Sequence, residues 1–413
     1  MKIAIVGAGF TGLSAALRLS QKGHFVVIFE KENRIGGLSA TYQEKDWKYP
    51  VEKHYHHWFT NDSYAIYLIR ELGLGDGLFF KSTETSTYFN GKMYPFNSPS
   101  DILSFDPLPI PDRIRLGLIS AYLKILPASF AQQLEKYTSV AWIKKYYGEN
   151  VYKVVWEPLL KGKFGPFTDI VNAAWFWARI KKRTFKLGYI KGGYQTVLSA
   201  LEKKLRSNGV KIVLNTSFDP KKNGFDKVIV TTPSPVFLNL YPAVSAEYKK
   251  RILSIPRLHA LNLLLITKEK FLSDVYWLNI NDRSFPFIAV VQQTNLTDAS
   301  WYGGNHLTYV ANYLPPDHPY LKMNAEDLYK KFLPYLKKIN PSFNFALSIE
   351  HCALFHGPFA QPVFPIHYSK IIPTFDTPVP NVYLANMDMV YPWDRGTNYA
   401  IELGEKIANL ISK

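Results

Sequence analysis

At 413 residues the chain is too long for one hydrophobic core and points to two domains or three. Its 47% hydrophobic content excludes a disordered or fibrous chain, and the lone Cys352 excludes disulfides and thiolate metal sites. A formal net charge of +16 implies anionic company: a phosphorylated substrate, an acidic lipid or nucleic acid.

The first apolar run, KIAIV (2–6), reads as a structural strand rather than a targeting segment, because no small-residue cleavage site follows it. GAGFTG comes next, with Gly-x-Gly-x-x-Gly at Gly7, Gly9 and Gly12, and LSAALRLSQKG then has apolar residues at helical spacing. HFVVIFE is a second strand that ends on an acid. In such a β-α-β unit the first glycine permits the tight turn, the second lets a pyrophosphate approach, and the third packs helix on strand. The helix N-terminus then offers free N–H groups to the phosphates. Glu30, 18 residues after Gly12, is placed to accept hydrogen bonds from ribose hydroxyls and to repel a 2′-phosphate. Arg34, Gly36 and Gly37 follow at once. A simple NAD domain needs no second glycine pair there, whereas a longer dinucleotide passes a second loop of exposed backbone N–H groups and an arginine fork.

EKHYHHWFTNDSY (52–64) carries His54, His56 and His57. On an extended segment His54 and His56 share one face and His57 points away, so no metal is expected. In STYFNGKMYPF (86–96), Asn90-Gly91 between alternating aromatic residues is a hairpin signal. The stretch 114–130 carries Arg115 and Lys124 and breaks at Pro127. The expectation is a helix packed on its own domain, with an amphipathic helix on a membrane surface as the alternative. No apolar run approaches the ~20 residues of a spanning helix. The expected compartment is the cytoplasm, with peripheral membrane contact left open.

Residues 137–191 hold Trp142, Trp156, Trp175 and Trp177 and eleven Lys and Arg, including Arg179, Lys181, Lys182 and Arg183, against three acids. Two readings stand side by side: a substrate channel with aromatic walls and a cationic mouth, or a packed helical subdomain with a solvated basic face. No nucleic-acid-binding module is recognisable, so nucleic acid is not expected as a partner. Further along come KGGYQTVLSAL (191–201), KIVLNTSF with DKVIVTTP, and NVYLANMDMVYPWDRGTNYAIELGEKIA (381–408). In the last, 397 onward reads as an amphipathic helix, with Thr397 or Asn398 expected to cap its first turn.

GAGFTGLSAALRL followed by FEKENRIGG resembles the FAD-binding signature of the flavoprotein amine oxidase superfamily. That group includes monoamine oxidases, protoporphyrinogen oxidase, phytoene-desaturase-like enzymes and, more distantly, UDP-galactopyranose mutase. The three later stretches resemble further elements of that family's FAD domain, in the same order. The resemblance implies an α/β fold, a Rossmann-like FAD-binding domain built from 1–80, 190–240 and 375–413, interleaved with an α+β substrate domain from 81–189 and 241–374. It implies that Phe10 and Thr11, within the first loop, and Lys31 and Leu38, flanking the second, touch FAD together with the glycines, Glu30 and Arg34. Phe218 is expected to lend backbone contacts near the adenine. Arg395, Gly396, Thr397 and Asn398 are expected to bring a helix N-terminus under the flavin. The closing motif reads Ala385-Asn386-Met387-Asp388 where the family usually has Ala-Gly-Asp or Ala-Gly-Glu. Asp388 is expected to meet the ribityl chain, with Asn386 as a polar substitute.

The HYHHWFTND stretch also resembles the His-x-Phe-His-Thr-Asn-Asp segment of the galactopyranose mutases, with His56 in the first-histidine position and Phe59 replacing the second histidine. His56 is the expected catalytic residue, a neutral imidazole near the flavin. The implied function is an FAD-dependent oxidoreductase whose flavin accepts a hydride from an apolar or anionic organic substrate; the expected partner is a small molecule, anionic or lipid-linked. A mutase using reduced FAD as nucleophile is the alternative, and a flavin-containing scaffold without turnover is a third reading.

Overall fold

Parallel pairing of the two N-terminal apolar runs, β1 (Lys2–Val6) and β2 (Phe25–Phe29), starts a five-stranded sheet. β3 (Lys211–Val213), β4 (Lys227–Val230) and β5 (Val382–Leu384) complete it in the order β3-β2-β1-β4-β5, every pairing parallel. Ile3, Ala4 and Ile5 have no exposed surface, as a parallel strand covered on both faces requires. The computed structural model describes residues 1–222 and 224–412; Asn223 and Lys413, which fall in the segments expected to form this domain, lie outside the described residues. The fold is Rossmann-like, as the glycine pattern implies. Helix Ala246–Leu253 lies past the expected boundary at residue 240, yet its Tyr248 and Ile252 pack with Val6, Val228 and Val230 of this sheet.

Three helices matter to the site on this sheet. Helix α1 (Phe10–Gln21) crosses from β1 to β2, and the helices Gly193–Ser207 and Thr397–Ile411 pack beside it. The C-terminal helix comes very close: a Cβ at Gly404 would sit 2.4 Å from the Thr11 carbonyl oxygen and 2.9 Å from the Ala15 nitrogen. That approach sets the position of the helix N-terminus, residues 396–398.

The second body is built on a seven-stranded mixed sheet, running from Ile349–Pro362 at one edge to the hairpin Glu84–Phe89/Lys92–Pro95 at the other. The hairpin forms at the expected place because Asn90 and Gly91 both adopt positive φ, 48° and 80°. Helix Ala325–Ile339 covers one face through Leu328, Phe332 and Leu336. A small sheet of Trp58–Phe59, Lys186–Ile190 and Leu78–Ser82 joins the bodies and carries the histidine segment beside them.

The helices between residues 110 and 182 form a subdomain whose core holds Trp142, Trp156, Trp175 and Trp177, each at most 7% exposed. These tryptophans pack on one another's neighbours edge to face, as Trp156 and Trp175 do with Phe176 and Phe164. They are core, not channel wall. The basic residues of the same stretch behave differently, as described below.

Replacing Gly404 with Val forces side-chain atoms into the Thr11 backbone, and the expected cost is about 3 kcal/mol. A thermal melt checks this; an unchanged Tm would contradict the close packing of α1 on the C-terminal helix.

Candidate functional site

The turn after β1 shows why each glycine is where it is. Gly7 has φ +107°, and a Cβ there would meet Thr231 Oγ1 at 2.9 Å; a Cβ on Gly12 would stand 2.1 Å from the Gly7 carbonyl oxygen. Gly9 differs: a Cβ there would meet nothing within 4 Å, so this position faces open space. Gly9 also begins α1, which has no side-chain cap and no acid in its first turn. The N–H groups of Phe10, Thr11 and Gly12 are thus presented at an uncapped positive helix end.

The second loop is built onto the first. Glu30, 7% exposed at the end of β2, accepts the Ala8 N–H at 2.8 Å and the Glu32 N–H at 3.0 Å. Gly36, at φ +118°, donates its N–H to the Ala8 carbonyl at 2.8 Å. Gly37, at φ +57°, lies so near that its Cβ would be 3.3 Å from Gly9 Cα. Arg34 is exposed and donates to the Thr41 carbonyl at 3.0 Å, bracing the loop. Lys31 is exposed and paired with Glu32 at 3.4 Å. Phe218 packs edge-on to Phe29 at 5.3 Å, on a turn held by the Thr216 N–H to the Glu30 carbonyl at 2.9 Å. Leu38 turns the other way and lines a small cavity with His54, His56 and Arg395.

At the C-terminal end, the expectation that Thr397 or Asn398 caps its own helix is corrected. Thr397 Oγ1 accepts the Trp58 indole N–H at 2.9 Å, and Asn398 Oδ1 accepts the N–H groups of Tyr64 and Ala65 at 2.9 and 3.1 Å. The helix begins at Gly396 with no side-chain cap and no acid in its first turn, so its first N–H groups are open. Asp388 is also corrected. Its carboxylate is buried and engaged by Arg257 at 2.6 and 3.1 Å and by the Ser234 hydroxyl, which leaves it no reach to a ribityl chain. Asn386 is spent as well, donating to Thr232 O and Ser234 Oγ at 3.0 Å and accepting the Asp388 N–H at 3.1 Å.

A cavity of about 240 Å³ opens between the bodies, with Gly396, Thr397, Asn398, His56 and Arg395 along its wall. Tyr55, Trp277 and Tyr313 supply aromatic surface, and Lys163, Arg179, Lys182 and Arg183 supply cations. The cationic mouth expected of residues 137–191 is present, without the four tryptophans. Asp394 accepts from Lys163 at 2.7 Å and from the Trp175 indole at 3.3 Å, and stands 3.6 Å from Arg179. Burial pushes the Lys163 ammonium down to about 7, against the pull of Asp394. Lys163 and Asp394 were not legible as a pair, because one lies in the basic segment 137–191 and the other in the closing stretch, 231 residues apart.

The three histidines stay neutral. Burial holds His54 down to about 3, His56 to about 4 and His57 to about 3. The His54 ring bonds Asn262 at 2.7 Å and His57 Nδ1 bonds the Tyr276 hydroxyl at 3.2 Å. His56 Nδ1 contacts the His54 carbonyl, which can only accept, so the His56 proton sits on Nδ1. Nε2 is left with its lone pair, 3.4 Å from Ser39 Oγ. Among the described residues no group of three His, Cys, Asp or Glu side chains is arranged to hold a metal.

Glu52 is a further residue that motif reading missed. It has no exposed surface, accepts the Tyr189 hydroxyl at 2.6 Å and the Tyr194 N–H at 2.7 Å, and so anchors the helix opened by Gly192 and Gly193. Tyr194 stacks on Trp58 at 4.2 Å, and Trp58 in turn holds Thr397. Burial raises the Glu52 carboxyl from 4.5 to about 7.

The residues fit a dinucleotide with a second ring system. The two glycine loops face one open lane at Gly9, two uncapped helix N-termini address it and the cavity, and Thr232 Oγ1, beside Gly7, is buried without a hydrogen-bond partner among the described residues.

Comparison with known proteins agrees in kind. The model of the family described as flavin containing amine oxidoreductase matches residues 10–412. A 15-cis-phytoene desaturase from Synechococcus elongatus is 30% identical over 158 residues, 35% of this chain and 33% of that protein. The match therefore spans about a third of the length of that curated relative. An oxidoreductase of Methanosarcina mazei superposes with TM-score 0.74 at 20% identity, each chain covered over 100%. A reduced UDP-galactopyranose mutase superposes with TM-score 0.76 at 15% identity, covering 100% of this chain and 95% of that one. At these identities the structural likeness speaks for the fold alone.

Glu52 links stability to pH. Its folded-state pKa lies above the unfolded one, so its stabilising contribution is complete below 4.5 and is lost as pH rises through about 7. Across that window wild type should lose about 1.4 kcal/mol per pH unit relative to Glu52→Gln. Melting curves of both proteins from acid to neutral pH measure the difference; a constant gap would show that Glu52 titrates normally.

Proposed function

Because the chain belongs to the flavin containing amine oxidoreductase family, we propose that it is an FAD-dependent oxidoreductase acting on a small organic molecule that carries an anionic group. The observation that carries this reading is the open position at Gly9, framed by an uncapped helix and by a second glycine loop bonded to the first. Bound there, FAD supplies the hydride acceptor.

The chain's own residues supply the rest. The first N–H groups of α1 hold the pyrophosphate, with Gly9 leaving room for it and the free lone pairs of Glu30 taking ribose hydroxyls. The open N-terminus at Gly396 would offer partial positive charge and free N–H groups to the flavin's pyrimidine edge. His56, neutral and with the Nε2 lone pair 3.4 Å from Ser39 Oγ, accepts a hydrogen bond at the cavity wall. Arg179, Arg395 and Lys163, with Lys182 and Arg183 on the same wall, hold a carboxylate or phosphate, because Asp62 and Asp394 do not balance them. Tyr55, Trp277 and Tyr313 exclude water from the reacting bond.

The same cations suit a sugar-nucleotide diphosphate, and with the His56 segment they support the mutase alternative. Anaerobic incubation of photoreduced enzyme with UDP-galactose separates the two: the oxidoreductase reading predicts unchanged UDP-galactose, and a ring-contracted isomer in the product mixture would overturn it.

Gly396→Asp sets a negative charge at the proposed flavin edge, in a backbone conformation any residue adopts. The flavin reduction potential should fall by about 20 mV. Equal potentials in variant and wild type would show that this helix end does not address the flavin.

A further inference from the structure

The helix Ile110–Ile125 has an apolar face that is largely exposed. Leu116 and Leu123 are buried in the helical subdomain, yet Ile110, Ile114, Leu118, Tyr122 and Ile125 are 65, 47, 66, 47 and 75% exposed. At ~100° per residue these five cover an arc of roughly 120°, a continuous stripe rather than scattered side chains. Leu103, on the neighbouring helix Pro99–Ser104, adds to it at 57% exposed. The expectation that this stretch packs on its own domain is met by one side of the helix only. Contiguous exposed apolar surface of this kind marks a docking face.

The chemistry of the occupant is indicated by what borders the stripe. At the C-terminal end of the helix, Lys181 donates to the Lys124 carbonyl and Lys124 donates to the Arg183 carbonyl. The segment so attached is KKRTFK (181–186), with four cations, no acid and Phe185 63% exposed. An apolar stripe bordered by clustered cations and an exposed phenylalanine is complementary to anionic headgroups over acyl chains. A second copy of this chain is disfavoured, since a symmetric contact would bring two such cationic segments together. Among the described residues no single helix is long and apolar enough to cross a membrane; Ile110–Ile125 reaches that length and apolarity only together with Ala128–Leu134, across a 109° bend.

We propose that this face docks on a bilayer containing anionic phospholipid, with the helix Ile110–Ile125 lying in the interface and 181–186 among the headgroups. Arg183, Thr184 and Phe185 also line the cavity, so docking sets its rim against the lipid. On the functional reading above, a lipophilic anionic substrate then passes from the bilayer to the cavity without crossing water. The docking surface itself does not depend on that reading.

The test is co-sedimentation of the full chain with vesicles of phosphatidylcholine alone and of phosphatidylcholine with phosphatidylglycerol, at low and high salt. Wild type should pellet with the phosphatidylglycerol vesicles and be released by salt. Leu118→Glu with Ile125→Glu, both at exposed positions, should weaken that binding at least ~10-fold, and Lys181→Glu with Lys186→Glu should weaken it while leaving residual salt-insensitive contact. Circular dichroism and flavin absorbance, read in parallel, separate loss of docking from loss of fold or cofactor. Wild type remaining in the supernatant with every vesicle, or the double-glutamate variant pelleting as wild type does, would overturn the proposal. So would a wild-type dimer that Leu118→Glu with Ile125→Glu splits without any lipid binding, which would make the face an interface between copies.

Discussion

The backbone of Ala8 is held on both sides, its N–H by the Glu30 carboxylate at 2.8 Å and its carbonyl by the Gly36 N–H at 2.8 Å. Those two bonds tie the end of β1, the end of β2 and the second glycine loop into one rigid corner. A charged acceptor makes the first of them strong, and burial of Glu30 keeps water from competing. Because the corner is held from behind, its front can stay bare at Gly9. The C-terminal helix then registers against the same corner, as Gly404 lets it rest on the α1 backbone. Two helix N-termini are thereby aimed by one set of contacts.

Electrostatics divides the site in two. The dinucleotide lane presents backbone N–H groups and helix dipoles, whereas the cavity presents side-chain cations that outnumber its carboxylates, Asp62 and Asp394. Desolvation governs both the neutral histidines and the lowered Lys163, and it explains how so many basic groups share one cavity. Asp388 does separate work. Its buried pair with Arg257 joins the loop after β5 to the long strand Arg257–Thr267 of the other body, and breaking such a pair by removing one partner typically costs about 3–5 kcal/mol.

Much of the fold was legible because its signals are local. A glycine that needs positive φ, an acid that ends a strand and an Asn-Gly hairpin each state a backbone requirement within a few residues. The misreadings share the opposite property. Asp388 looked available because Arg257 lies 131 residues away in sequence, and Thr397 looked like a cap because Trp58 lies 339 residues away. The tryptophans of 137–191 could not be sorted into core or wall by spacing, since a helix face toward a core and one toward a cavity carry the same apolar period. Lys163 and Glu52 lie inside stretches marked by other residues, the clustered cations and the histidines. Their importance arises only when the chain brings Asp394 and Tyr194 to them.

The central claim is that the Ala8 corner presents an open lane for the pyrophosphate of FAD at Gly9. Titration of FAD into wild-type apoprotein and into Gly9→Val, followed by flavin fluorescence, tests it most directly. Gly9 has φ −77° and no neighbour to a Cβ, so the variant should fold and melt as wild type does. Wild type binding FAD, with affinity at least ~100-fold lower in an intact Gly9→Val, is the result the account predicts. Equal affinity in the two proteins, or a folded wild type that takes up no FAD, would contradict it.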